Sequence, residues 1–106
     1  MCMLRRAFNL MAEISVKHEH SKLRFIGTVS GADGACVLDY RYSTPVVVDF
    51  YRTVTDPSLQ GKGVAAAVVK AGFQWARESK LKIKGSCSYV ENYIQKNPEW
   101  SDISKL

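Results

Sequence analysis

Apolar and polar positions alternate from Glu13 onwards, with Ile14 and Val16 on one side of a strand. His18-Glu19-His20-Ser21 interrupts the pattern and Leu23-Arg24-Phe25-Ile26 resumes it, so a β-hairpin is predicted. Ser30-Gly31-Ala32-Asp33-Gly34 gathers residues that favour tight connections. Beyond it Cys36, Leu38, Tyr40 and Tyr42 share one face of a strand while Asp39 and Arg41 share the other. Ser43-Thr44-Pro45 then turns the chain into 46–54, rich in β-branched and aromatic residues, completing an antiparallel meander of about four strands.

The period then changes from two to nearly four. Val64, Val68, Ala71 and Trp75 recur at helical spacing, with Lys70, Gln74, Arg77 and Glu78 off the stripe, which predicts an amphipathic helix reaching to Lys80. Residues 81–89 read as a further strand, and 90–96 as a short helix that stops before Pro98. A single helical crossover between two strands predicts that 46–54 and 81–89 run parallel, adjacent or nearly so. The expected class is α+β.

With 106 residues the chain holds one domain, read as 13–106, preceded by an N-terminal extension at 1–12. That extension carries Arg5 and Arg6 among apolar residues and no acid before Glu13, which fits either a targeting leader or a frayed end, with Met11 as an alternative start. The net charge of +5 and pI of 9.2 favour anionic partners, but the basic residues are dispersed. The densest group, Lys80, Lys82 and Lys84, alternates with Leu81 and Ile83 as the solvated face of a strand does. Cys2, Cys36 and Cys87 are odd in number and lack CxxC spacing, so neither a disulfide framework nor a zinc knuckle is expected, and a reducing compartment is: cytoplasm, nucleus or an organelle. No apolar run approaches the roughly 20 residues of a membrane span. His18 and His20 flank Glu19 with no third ligand nearby, so no metal site is expected.

Gln60-Gly61-Lys62-Gly63-Val64-Ala65 stands where the strand pattern ends and the helix pattern begins. The first amides of a helix lack intrahelical partners and sit at the positive end of its dipole, so main chain alone can hold a phosphate there. Parallel strands also bring the ends of 46–54 and 81–89 to one edge of the sheet, which places Cys87 beside the glycine loop.

Through Gln60, Gly63 and Ala65 the loop resembles the (Gln/Arg)-x-x-Gly-x-(Gly/Ala) acyl-CoA motif of the Gcn5-related N-acetyltransferases. Ser86-Cys87-Ser88-Tyr89-Val90 followed by Asn97-Pro98-Glu99-Trp100 is similar to their small single-domain subgroup, and the resemblance spans 13–100. It implies a mixed, mostly antiparallel sheet with one long helix after the acyl-CoA loop and a short C-terminal helix. It also implies acetyl-CoA as donor, with the pantetheine arm lying where the strands on either side of the long helix splay apart. Gln60, Gly61, Lys62, Gly63, Val64 and Ala65 would hold the pyrophosphate, with Lys62 adding a charge, and Thr53, Val54 and Thr55 would border the thioester. The sequence departs from the family twice. Arg52-Thr53 stands where the small subgroup often has His-Thr, and 30–34 leaves no room for the helices with which full-size members wall off the acceptor.

The resemblance implies transfer of acetyl to an amine, on a protein lysine or N-terminus if the acceptor side is open. Such transfer needs a polarised carbonyl and an acid for the departing thiolate. Tyr93, one turn into the short helix, is the first candidate acid and Tyr89 the second. Cys87 offers another route, in which its thiolate takes the acetyl group and passes it on. Cys36, on the apolar strand face, and Trp75, on the helix stripe, read as core, and Trp100 as a cover for the sheet edge. Two readings of other classes remain: a non-catalytic acyl-CoA binding or sensing module, and a nucleic-acid binder, for which the sequence lacks an aromatic and basic stacking surface.

Overall fold

The computed structural model describes residues 13–104; the N-terminal extension and Cys2 lie outside them. Five strands form one sheet in sequence order: β1 (Ile14–Glu19), β2 (Arg24–Val29), β3 (Cys36–Thr44), β4 (Val47–Thr55) and β5 (Lys82–Gly85). The first four are antiparallel, and β5 joins β4 in parallel from Val47 opposite Lys82 to Phe50 opposite Gly85. The crossover between β4 and β5 is helix α1 (Val64–Glu78), and a second helix, α2 (Ser88–Lys96), follows β5. The mixed, mostly antiparallel sheet with one long and one short helix is the architecture that the sequence predicts. Among the described residues no helix is long and apolar enough to cross a membrane.

Helix α1 lies across one face of the sheet and buries Val64, Val68, Val69, Phe73 and Ala76 against Phe25, Leu38, Tyr40, Val48 and Phe50. Burying each large apolar side chain contributes about 1.5–3 kcal/mol, so this contact supplies most of the driving force for folding. Close approach is possible because β2 has Gly27 under the first turns of α1: a Cβ there would overlap a Val68 methyl and lie 2.9 Å from Val64 Cγ2. Among the described residues no helix covers the opposite face. There the register aligns Glu19, Arg24, Asp39 and Arg52 in a row of alternating charge, beside Lys17, Ile26, Val37 and Val54.

Three boundaries differ from the sequence pattern. The strand at 81–89 ends at Gly85, and the short helix begins at Ser88 instead of Val90. Gly85 lets α2 fold back closely, since a Cβ on it would meet Val90 Cγ1 at 2.7 Å. Lys80 leaves the strand face and ends α1 in the left-handed region at φ 60°, with the Leu81 amide bonding back to the Ala76 carbonyl. Tyr42 keeps its strand but is 48% exposed, because the β3–β4 hairpin runs past the end of the helix.

At the end of the sheet remote from the glycine loop, His18 stacks on Phe25 at 4.0 Å and meets Trp75 edge-on at 4.8 Å. Its Nε2 is 2.6 Å from the hydroxyl of buried Tyr40. Burial, helped by neighbouring His20, lowers the His18 pKa to about 4, and burial raises that of Tyr40 to about 12, so the phenol is the donor and Nε2 the acceptor. The paired histidines of the sequence are thus part of an aromatic cluster. A folded-state pKa below the unfolded one means that unfolded chains bind the extra proton between about pH 6.5 and 4. Stability should therefore be complete above pH 6.5 and decline as the pH falls through that window. Thermal unfolding of the wild type and His18→Gln across pH 4–7 checks this; equal slopes in the two proteins would refute it.

Candidate functional site

The site starts with a register shift in β4. Asp39 pairs with Arg52 but Tyr40 pairs with Phe50, so Tyr51 is an extra residue without a partner, a β-bulge. Strict alternation after Val48 and Phe50 would aim Arg52 and Val54 towards α1. The bulge instead aligns Thr53 with Leu38 and Thr55 with Cys36, on the helix face, and leaves Arg52 and Val54 on the open face. The Asp56 amide donates to the Ala35 carbonyl at 3.0 Å, so the alternating ladder points the amide and carbonyl of Thr53 and Thr55 away from β3. Strand β5 has already left at Gly85. The second half of β4 therefore presents backbone with no strand partner on that side among the described residues, together with two hydroxyls, to a gap.

The floor of that gap is the loop leading into α1. Asp56 accepts from the Ser58 amide at 3.0 Å and the Ser58 hydroxyl at 2.8 Å, closing a short 3₁₀ turn at Pro57–Leu59 that buries Leu59. Gly61 and Gly63 both have φ of 79°, a conformation that other residues adopt only with strain, and Gly63 caps α1. The first helical bond runs from the Ala67 amide to the Gly63 carbonyl. The amides of Gly61, Gly63, Val64, Ala65 and Ala66 thus have no backbone acceptor among the described residues, and all five residues line one cavity of about 420 Å³ with Thr53, Thr55, Leu59, Gln60 and Tyr89.

Cys87 is the N-cap residue of α2, its sulfur 3.6 Å from Thr53 Oγ1. Burial pushes its thiol up, but the amides of Val90, Tyr89 and Thr53 and the Thr53 hydroxyl outweigh it, so the net shift is downward. None of these makes a close capping bond to the neutral thiol; they act on the thiolate. Cys36 differs: it is fully buried, 3.3 Å from Thr55 Oγ1, and burial raises its thiol.

Of the residues picked from the sequence, the fold brings Thr53, Thr55, Gln60, Gly61, Gly63, Val64 and Ala65 to the cavity wall. Cys87 stands one contact behind, at Thr53. Val54 and Lys62 are not on the wall: the bulge turns the Val54 side chain to the open face, and that of Lys62 is exposed. Tyr93 packs edge-on against Phe73 at 5.6 Å and lines a separate hollow of about 190 Å³ with Tyr89, Asn92, Lys96 and Asn97. Tyr89, in the first turn of α2, lines the cavity, and Tyr93, one turn further on, does not. Leu59 and Ala66 were missed. Asp-Pro-Ser before Leu59 was the available signal for the first, a side-chain-capped turn that drives its next apolar residue inward.

The family profile described as GCN5-related N-acetyl-transferase matches residues 24–103. Protein NATD1 of Gallus gallus is 29% identical over 85 residues, which cover 80% of this chain and 77% of that protein. The Homo sapiens protein of the same name is also 29% identical over 85 residues, covering 80% and 75%, and that of Danio rerio is 24% identical over 98 residues, covering 92% and 89%. The solution NMR structure of a GCN5-like protein from Staphylococcus aureus superposes with a TM-score of 0.65 at 23% identity, over 86% of this chain and 87% of the other. That likeness concerns the fold. Since the profile match runs from β2 past α2 and takes in every residue of the cleft, the chain belongs to the GCN5-related N-acetyltransferase family.

Proposed function

We propose that the protein transfers an acetyl group from acetyl-CoA to the amine of a large acceptor, a protein lysine or N-terminus. Family membership supports acyl transfer in general. The observation that carries the reading is the convergence of an amide-lined helix start and the free edge of β4 on one cleft, with a thiol held low directly behind Thr53. The amides from Gly61 to Ala66 suit a pyrophosphate, and the Thr53 and Thr55 backbone suits the amides of a pantetheine arm laid in the place of a strand. The connections at His20–Lys22 and at 30–35 are short, so among the described residues nothing walls off an acceptor there, which favours a bulky one.

Cys87, at the edge of this cleft with its sulfur 3.6 Å from Thr53 Oγ1, is the nucleophile. Its thiolate attacks the thioester carbonyl, the new bond joins Cys87 Sγ to the acetyl carbon, and the bond from that carbon to the coenzyme sulfur breaks. Tyr89 gives its phenolic proton to the departing thiolate. The neutral amine then attacks the acetyl carbon, Cys87 leaves as thiolate, and the amine proton returns to the Tyr89 phenolate, so the charges balance. The route needs reduced Cys87, consistent with a reducing compartment.

One observation favours the second reading, a non-catalytic acyl-CoA module: among the described residues lining the cavity, Tyr89 alone has an ionisable side chain. Intact mass spectrometry after incubation with acetyl-CoA separates the two. A single added acetyl on the wild type, mapped to Cys87 and absent from Cys87→Ala, is expected. Acetylation of a lysine peptide by Cys87→Ala at the wild-type rate would replace the thiol route with direct transfer, and no turnover in either would leave the binding module.

A further inference from the structure

Asp49 has no part in the scheme above, yet it is the one buried charged residue among those described, only 2% exposed. It lies on β4 opposite Lys84, facing away from α1. Each of its oxygens is used. Oδ1 accepts from the Ser86 amide at 3.0 Å, and Oδ2 accepts from the Ser86 hydroxyl at 2.8 Å and from Arg41 Nη2 at 3.1 Å and Nε at 3.2 Å. Arg41, directly across on β3, also lays its guanidinium over Tyr51, 4.7 Å from the ring centroid. Tyr51 is the bulge residue.

The position matters because β4 and β5 stop pairing at Phe50 and Gly85, one residue before Ser86. Where a further rung would have joined two parallel strands, a side chain of β4 grips the chain leaving β5. Ser86 is the last residue before Cys87, and Cys87 begins α2. We propose that Asp49 is a positioning residue of the cleft: through Ser86 it sets how far β5 departs from β4, and so holds Cys87 against Thr53 and the first amides of α2. Through Arg41 and Tyr51 the same carboxylate is tied to the bulge that turns Thr53 and Thr55 into the cleft. One buried charge thus registers both walls.

The proposal takes Cys87 as the reacting thiol of the function proposed above, but its test reads that thiol without coenzyme A. Iodoacetamide labelling of Cys87, followed by peptide mass spectrometry across pH, gives the midpoint of its ionisation. In Asp49→Asn the midpoint is expected to rise by about one pH unit, making labelling near neutrality roughly tenfold slower. Ser86→Ala should shift it in the same direction, covering the case in which Asp49→Asn fails to fold, and Ser86→Thr, which keeps the hydroxyl, should restore it. Val68→Ala, a core truncation remote from Ser86, lowers the melting temperature and should leave the midpoint in place. If Asp49→Asn and Ser86→Ala lower the melting temperature yet keep the wild-type midpoint, Asp49 is structural only and the proposal is overturned. If the midpoint moves in a protein that takes no acetyl from acetyl-CoA, the positioning role stands and the acyltransfer reading fails.

Discussion

Gly63→Val is expected to remove measurable coenzyme A binding from a protein that still folds. Gly63 has φ of 79° and its neighbour Val64 is 1% exposed, so the turn is fixed on one side by a core residue. A left-handed conformation costs an L-residue about 1–2 kcal/mol, and a β-branched side chain resists it further. The chain escapes that cost by rotating the peptide, which turns the Gly63 and Val64 amides away from the cleft. Hydrogen bonds to a charged group contribute about 1.5–3 kcal/mol each, so losing two weakens binding by roughly a hundredfold to ten-thousandfold. Isothermal titration with coenzyme A measures this directly. Lys62→Ala is the comparison: its side chain lies off the cavity wall, and only a modest loss, screened by salt, is expected. Equal affinity in Gly63→Val and wild type would remove the glycine turn from the binding site.

Gly27→Val is expected to give the largest loss of stability. Its first added carbon would overlap a Val68 methyl and crowd Val64, and both valines are buried on the first two turns of α1. Neither side can yield cheaply. Gly27 is in mid-sheet, paired with Val16 on one side and Cys36 on the other, and α1 cannot rise without uncovering its own apolar stripe. Overpacking of this kind costs about 1–3 kcal/mol, and the upper end applies where both neighbours are rigid. At about 4–8 °C per kcal/mol for a domain near this size, melting should fall by roughly 12–24 °C. The same variant should bind coenzyme A more weakly, because Val64 belongs both to the core and to the cleft wall. A melting temperature within about 4 °C of wild type would show that the helix stands further off the sheet than the structure places it.

The period of the apolar residues was enough to find the hairpin, the meander, the long helix and the parallel return, because local alternation and helical repeat both report which face of an element is buried. It misjudged where β5 ends. Residues 81–89 keep a strand-like composition throughout, and nothing local reveals that Ser86, just past the last pair, bonds the side chain of Asp49, 37 residues upstream. With α2 starting at Ser88, Cys87 is its cap, and Tyr89 lines the cavity while Tyr93 lines a separate hollow. In β4 Thr53 and Thr55 line the cavity and Val54 does not, because a bulge adds one residue without altering the pattern of types.

The sequence by itself determined the class of fold, the family and the glycine turn at the start of α1, since each rests on residues adjacent in the chain: periodicity for the elements, and two glycines at a helix start for the turn. Tertiary structure decided the other end of the candidate site, around Thr53 and Cys87. Which face Thr53 presents, how far β5 departs and what surrounds the Cys87 sulfur depend on pairing between strands brought together only by folding. A one-residue shift in that pairing turns a side chain from the cleft to solvent.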